Sequence, residues 1–394
     1  MKIALFTNFL NHHQLPFALA MNQIPDVEYI FVETGEMGAH RVAMGWGSNE
    51  NYDFVLKACS SKEKQKQAEQ LSRDADIVLI GHAPINYLNI RMRTGKMAFR
   101  PIERFFKKGT SFRYFPANIA RLIKHQLFFF QNSPLYFLCM SGYLAYDLNL
   151  YTNYRNKCFK WAYFTENKDL SYEQLEENRR SHRRPVILWA GRYLDWKHPE
   201  AVIQLAKDLK DKSYDFEIKM IGGGPLNDTL KQQISADHME DAIQLIEFMK
   251  PSEVRKYMED ADIFLFTSDF NEGWGAVLNE SMSSGCAVVT SHACGSSPFL
   301  VNDGVNGFIY ESGNSGDLFH KVKLLLEDEE LRYRISRNAF HDMRNIWSPG
   351  VAAERLLELS NAIEAGNAMS LFKIGPGSPA PILNPRWYQA EKQN

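Results

Sequence analysis

Ile263-Phe264-Leu265-Phe266-Thr267, followed a few residues later by Asn271-Glu272-Gly273-Trp274-Gly275-Ala276-Val277-Leu278-Asn279-Glu280, decides how this chain is read. The first five residues form a short apolar run of the length of a buried strand. Gly273 and Gly275 interrupt any helix begun at Glu272, so that carboxylate is expected on the loop at the strand's carboxyl end. Glu280 then falls about a turn inside the helix that follows. The free N–H groups and positive dipole end of a helix start favour an anion such as a diphosphate, and carboxylates on either side suit hydroxyl-rich groups. A nucleoside diphosphate sugar has that layout. The plainer reading is a solvated loop acid and an ordinary acid in the first turns of a helix.

The rest of the chain sets bounds. Its 394 residues exceed a single core, and roughly one domain per 150 residues points to two or three domains, two being preferred. With 45% hydrophobic and 23% charged residues and a net charge of -2, the composition is that of a globular protein and argues against a general nucleic-acid binder. Cys59, Cys139, Cys158, Cys286 and Cys294 have neither zinc spacing nor a disulfide framework, and are expected to be reduced and mostly buried. Met1–Thr7 is too short an apolar run for a signal peptide. No apolar stretch approaches the roughly 20 residues of a bilayer span. A cytoplasmic protein is expected.

Apolar runs alternate with helical patterns in both halves, the mark of strand–helix units building parallel sheets. Strands are predicted at Ile3–Thr7, Tyr29–Glu33, Ile77–Ile80, Tyr136–Met140 and Lys160–Phe164. After the polar stretch Glu166–Arg184, others follow at Val186–Ala190, Phe216–Ile221, Ile243–Phe248, Ile263–Thr267, Ala287–Thr290 and Gly307–Tyr310. Domains are therefore expected over 1–168 and 169–348. Asp74-Ala75-Asp76 and Asp260-Ala261-Asp262 each precede a buried strand. Such pairs can hold a divalent metal, but they sit at the amino ends of their strands, whereas ligands of open α/β sheets bind beyond the carboxyl ends. Helix exit and strand start is the preferred reading. The segment Gly375–Pro381 reads as a linker or loose end, while Ile382, Leu383, Trp387 and Tyr388 suggest packing.

From Val186 to Tyr310 the sequence resembles the retaining glycosyltransferases of family 4, also called glycosyl transferases group 1. The resemblance rests on Gly191-Arg192-Tyr193-Leu194-Asp195-Trp196-Lys197, Ile221-Gly222-Gly223-Gly224-Pro225, the Glu272–Glu280 pair, Gly285-Cys286-Ala287-Val288-Val289 and Asp303-Gly304-Val305-Asn306-Gly307, in that order. It implies the α/β GT-B fold, two Rossmann-like domains with parallel sheets facing across a cleft, an N-terminal acceptor domain and a C-terminal donor domain. The segment 349–394 would return to the first domain. By the same resemblance Arg192 and Lys197 hold the donor diphosphate without a metal. Gly191, Gly222, Gly223 and Gly275 let the nucleotide approach, and Ala276 and Val277 offer backbone N–H groups to phosphate. Glu272 receives donor-sugar hydroxyls and Glu280 the ribose hydroxyls.

In the first half, Asp76-Ile77-Val78-Leu79-Ile80-Gly81-His82-Ala83-Pro84 is similar to the family's strand and His-x-Pro turn, which would bring His82 to the donor sugar. Asn11-His12-His13-Gln14 stands where relatives carry a Gly-Gly turn, and Ser297-Pro298-Phe299 where they often carry Pro-Glu. Asn11 and His12 are kept as acceptor-side candidates by position. The segment 91–124 gathers Arg91, Arg93, Lys96, Arg100, Arg104, Lys107, Lys108, Arg113 and Arg121 among Phe99, Phe105, Phe106, Phe112, Tyr114 and Phe115, with Glu103 its only acid. Cations alternating with rings suit an anionic membrane surface, and equally a solvated helix face packed by its aromatics.

The resulting expectation is a glycosyltransferase moving a sugar from a UDP- or GDP-sugar, with no other cofactor and no metal, to a saccharide or lipid-linked acceptor in cell-surface polysaccharide or glycolipid assembly. A nucleotide-sugar epimerase of the same fold and a binding protein without catalysis are the alternatives.

Overall fold

The computed structural model describes residues 1–38, 51–107 and 116–391. Two compact units emerge: Met1–Glu166 with Ile346–Asn384, and Asn167–Asn345 with Pro385–Asn394. The first unit contains β1 (Lys2–Thr7), β2 (Glu28–Glu33), β3 (Val55–Lys57), β4 (Ile77–Ile80), β5 (Ala98–Ile102), β6 (Leu135–Cys139) and β7 (Cys158–Lys160). They form a seven-stranded sheet in the order β3-β2-β1-β4-β5-β6-β7. The second unit contains β8 (Val186–Arg192), β9 (Glu217–Gly223), β10 (Ile243–Glu247), β11 (Ile263–Phe266), β12 (Ala287–Ser291) and β13 (Phe308–Tyr310), ordered β10-β9-β8-β11-β12-β13. Neighbouring strands in both sheets are parallel.

Each sheet starts in the middle, grows outward to one side, and then returns to build the other side. The reversal falls between β1 and β4 in the first unit and between β8 and β11 in the second. Loops leaving the carboxyl ends of those two strands diverge and leave a crevice where ligands of such sheets bind. The central strands are apolar because helices cover both faces: all four residues of β4 and all four of β11 are buried. Each buried Leu, Ile or Phe contributes about 1.5–3 kcal/mol over its exposed state.

The two Asp-Ala-Asp segments act as strand starters. The Asp76 carboxylate accepts the Lys2 N–H at 2.7 Å, and the Asp262 carboxylate accepts the Val186 N–H at 2.9 Å. Each thus ties the start of its strand to the start of the neighbouring central strand. His182 adds a second hold in the C-terminal unit, its ring nitrogens 3.1 Å from Asp260 and 3.2 Å from Asp262.

Several expectations change. The strand predicted at Lys160–Phe164 lies earlier, at Cys158–Lys160. Trp161 and Phe164 instead turn inward onto Phe17 of the helix Leu15–Asn22, with ring centroids 5.6 and 5.7 Å away. Strands β3 and β5 have no counterpart among the predicted strands. β5 is masked in the sequence by Arg100 and Pro101, which break an otherwise apolar run. The Gly/Pro-rich tail is neither linker nor loose end: Ser378 O accepts the Lys160 N–H at 2.7 Å and Ala380 N–H donates to Cys158 O at 2.9 Å, so the segment lies antiparallel along the edge of β7. The helix Pro349–Glu364 packs on the helix Leu15–Asn22 within the first unit. The final residues, Pro385–Asn394, group with the second unit rather than the first, because the Tyr388 hydroxyl donates to Ile309 O at 2.7 Å and its ring stacks on His292.

The segment 91–124 differs most from its membrane reading. Residues 108–115, with Lys108, Phe112, Arg113, Tyr114 and Phe115, lie outside the described residues, as does the Arg121 side chain. Of the rest, Arg91, Arg100 and Arg104 are buried, together with Phe99, Phe105 and Phe106. Arg91 donates to the carbonyls of Met97, Ala75 and Asp76 at 2.8, 2.6 and 2.9 Å. Arg100 donates to His125 O at 3.1 Å. Arg104 pairs with Asp147 at 3.0 Å, and the same carboxylate accepts the N–H groups of Phe105 and Phe106. These cations serve as internal cross-links, and their charge is spent on carbonyls and one carboxylate.

Candidate functional site

In the second unit the site is built on β8, β9 and β11, whose carboxyl ends surround the reversal of strand order. β8 delivers Gly191 and Arg192, which lie in register with Gly222 and Gly223 of β9. A side chain at Gly222 would run into the Gly191 carbonyl oxygen, so this glycine is demanded by the close approach of two strand ends. Gly223 has open space beside it, bounded by Phe248 at 4.0 Å. Gly222 is buried at this close approach, while Gly223 is partly exposed. Arg192 is exposed at the end of its strand.

After β8 the chain makes the short turn Asp195–Lys197. The Thr267 hydroxyl, at the end of β11, donates to Lys197 O at 2.6 Å and accepts the Trp189 indole N–H at 2.8 Å, pinning the turn to the sheet. The Lys197 ammonium lies 4.6 Å above the Trp196 ring and 2.5 Å from Glu272 Oε2. Ser268 donates to the same carboxylate oxygen at 3.0 Å. Lys197 and Glu272 each keep 13% of their side chains exposed, so the pair is partly desolvated and more strongly coupled than a surface ion pair.

Glu272 occupies the loop, as expected, and the helix Ala276–Ser283 begins just beyond it. Gly275 caps that helix with φ 89 in the left-handed region, and a side chain there would collide with the Phe266 ring. The tight cap turns the first N–H groups, those of Ala276 and Val277, out of the helix without partners four residues back. Glu280 lies in the second turn, where burial pushes its carboxyl up to about 7 while the Arg255 guanidinium opposes the rise. In either protonation state it can bond a hydroxyl. Trp274, fully buried, donates to Asn279 Oδ1 at 2.8 Å and anchors the loop from beneath.

The structure thus gathers Lys197 and Glu272 into direct contact and sets Arg192, Gly191, Gly222, Gly223, Gly275, Ala276, Val277 and Glu280 on the strand ends and helix start around them. The assembly offers two cations, exposed helix N–H groups and carboxylates, which suits a diphosphate bearing hydroxyl-rich ends. Sequence reasoning missed Ser268 and Thr267, which orient the pair, and Asp269, which accepts the Asn271 N–H at 2.7 Å. Their position directly after β11 was the available signal.

In the first unit, His82 is exposed at the carboxyl end of β4, and Asn11 and His12 follow β1, the two strands flanking that sheet's reversal. Asn11 also starts the helix that follows. Its carbonyl accepts the Gln14 and Leu15 N–H groups at 2.9 Å, and its Oδ1 accepts the His13 N–H at 3.0 Å. No helix among the described residues is long and apolar enough to cross a membrane.

Comparison with known proteins agrees with this layout. Residues 172–342 match the family model described as glycosyl transferases group 1. A Campylobacter jejuni protein, N-acetylgalactosamine-N,N'-diacetylbacillosaminyl-diphospho-undecaprenol 4-alpha-N-acetylgalactosaminyltransferase, is 34% identical over 37% of this chain and 38% of its own length. The amylovoran biosynthesis glycosyltransferase AmsK of Erwinia amylovora is 32% identical over 34% of each chain. The matches cover between 34% and 52% of the length of the first such relatives. Among solved structures, HepE of Anabaena in complex with UDP superposes with a TM-score of 0.66 at 15% identity, over 92% of this chain and 100% of that one, which establishes the GT-B fold.

Proposed function

We propose, from the match of residues 172–342 to the glycosyl transferases group 1 family model, that the chain transfers a sugar from a nucleoside diphosphate donor, UDP- or GDP-linked, to an acceptor hydroxyl. The observation that carries this reading is the Lys197–Glu272 pair, 2.5 Å apart where the strand order of the second sheet reverses. Arg192 and Lys197 neutralise the charge that develops on the departing diphosphate, with the helix start at Ala276 and Val277 contributing N–H donors. Glu272 receives sugar hydroxyls and Glu280 the ribose hydroxyls. The family match supports retention at the anomeric carbon: the acceptor attacks on the face from which the diphosphate leaves, and a phosphate or donor oxygen takes the proton. No side chain acts as a strong base and no metal is needed, because fixed cations and N–H groups supply the positioning and charge.

The Campylobacter relative, named for a diphospho-undecaprenol-linked saccharide, and the Erwinia relative, named for amylovoran biosynthesis, support a lipid-linked or polysaccharide acceptor. Release of free nucleoside diphosphate only when acceptor is present is the expected result. Release without any acceptor, or sugar interconversion with no release, would replace this reading by a hydrolase or an epimerase, and binding with neither would leave a nucleotide-sugar-binding protein. A thermal-shift series with uridine, guanosine and adenosine diphosphates selects the donor, since the correct one stabilises by mass action.

One observation favours membrane association for such an acceptor. The helix Pro116–Lys124 turns Ile119 and Ile123 outward, 36% and 49% exposed, beside exposed Pro116 and Ala120 on the same face. Phe129 follows, 67% exposed. An outward apolar stripe with Lys124 at its end suits the headgroup region of an anionic bilayer. The full chain should co-sediment with anionic vesicles at low salt, and Ile119→Glu with Ile123→Glu should abolish this; indifference of the unaltered chain to such vesicles contradicts the membrane role alone.

A further inference from the structure

His198 follows Lys197 and closes its turn in the left-handed region, with φ 48 and ψ 53. Residues other than glycine enter that region seldom, and a cost of this kind persists where other contacts hold the residue in place. The contacts here are specific. His198 Nδ1 lies 2.8 Å from Glu200 Oε1, in the first turn of the helix Glu200–Asp211, and Nε2 lies 3.4 Å from Asp269 Oδ2, on the loop that carries Glu272. The same turn and loop also share a backbone bond, Asp269 N–H donating to Trp196 O at 2.9 Å, and the Glu272 N–H returns to Asp269 O at 3.0 Å. One imidazole therefore spans the element bearing Lys197 and the element bearing Glu272.

With an acceptor-only carboxylate at each nitrogen, the ring satisfies both bonds only when both nitrogens carry protons. The charged groups around it are Asp269 from the loop, Glu200 from the helix start, and Lys197 beside it in the chain, whose ammonium is turned to Glu272. Hydrogen bonds to Asp269 and then Glu200 push its pKa up to about 9 against the opposing effect of burial. The bridge is therefore complete below the ordinary histidine range and is lost as pH rises through about 9.

We propose that His198 is a positioning residue of the donor site: as an imidazolium clamped between Asp269 and Glu200, it fixes the Lys197 turn against the Glu272 loop so that ammonium and carboxylate are held ready for the donor. The proposal rests on the reading of Lys197 and Glu272 as donor ligands, and adds a residue that touches neither the diphosphate nor the sugar.

The test uses the full chain, His198→Gly, which adopts the left-handed turn freely but has no bridge, and His198→Asn, which tolerates the turn but carries no charge. Binding of the nucleoside diphosphate selected by thermal shift is measured by calorimetry from pH 6 to 10, with the His198 ring titrated by NMR in the unaltered chain. The expected result is about tenfold weaker binding for both variants at pH 7, the scale of one charge-assisted hydrogen bond. The advantage of the unaltered chain should vanish as its ring loses its proton, leaving the three proteins alike near pH 10. Both variants binding as tightly as the unaltered chain at pH 7, or a His198 ring that titrates near its ordinary value, would overturn the positioning role. An unaltered chain that binds no nucleoside diphosphate overturns the donor-site reading instead, and the ring titration still reports whether the clamp exists.

Discussion

Lys197→Ala is expected to lower turnover at saturating donor about 100- to 1,000-fold, the loss seen when one preorganised donor to a developing anion is removed. The reason is timing of charge. On the proposed reading the diphosphate gains negative charge as the glycosidic bond breaks, and the Lys197 ammonium is already held by the Trp196 ring and Glu272, while Thr267 bonds the Lys197 backbone carbonyl. Because no reorganisation is needed, the stabilisation is greater in the transition state than in the bound donor, so kcat falls more than donor affinity. Glu272→Ala should lose activity to a similar extent, since it removes a hydroxyl acceptor and also frees the ammonium from its partner. The double variant should lose much less than the product of the two single losses, because each single change already breaks the shared arrangement. Steady-state kinetics at several donor concentrations, with circular dichroism to show an unchanged fold, measure this. Near-normal turnover in either single variant contradicts the assignment.

Arg104→Ala is expected to destabilise the first unit by about 3–5 kcal/mol, the cost of leaving a buried charge without its partner. Both side chains of the Arg104–Asp147 pair are fully withdrawn from solvent, and the Asp147 carboxylate also caps the N–H groups of Phe105 and Phe106. Removing the arginine leaves those bonds but strands the negative charge. Replacing both partners by apolar residues of similar volume, Arg104→Met with Asp147→Leu, should recover part of the loss, but the two freed N–H groups prevent full recovery. Urea denaturation followed by fluorescence and by circular dichroism reads the effect. A midpoint unchanged in Arg104→Ala would mean that the pair is not buried as described, and would restore Arg104 to the surface charge read from the sequence.

That last contrast shows where the sequence was legible. The second unit was transparent because its strands are short apolar runs bounded by glycine turns, and because its site residues sit in compact motifs at strand ends. Glu272 on a loop and Glu280 within the next helix followed from the positions of Gly273 and Gly275 alone. The first unit was harder for a physical reason: its arginines are used internally. Arg91, Arg100 and Arg104 read as surface charge, yet long guanidinium side chains can be buried when carbonyls or a carboxylate meet their fixed geometry, and that geometry is invisible before the fold brings Ala75, Met97 or Asp147 into range. Strand β5 was hidden by Arg100 together with Pro101. The edge pairing of the tail with β7 was equally out of reach, since Gly375–Pro381 carries turn residues and its pairing is set by a partner more than two hundred residues away. His198 gave no signal because nothing in a lone histidine after a lysine announces a left-handed turn held by two acids.

The most direct test of the central claim is calorimetric titration of the full chain and of Lys197→Ala with UDP and GDP. One of the two diphosphates is expected to bind the unaltered chain at a single site, and its binding should weaken at least about tenfold in the variant, the loss of one charge-assisted contact to phosphate. Equal affinity in both proteins would contradict the claim, because the diphosphate would then lie somewhere other than the carboxyl ends of β8 and β11.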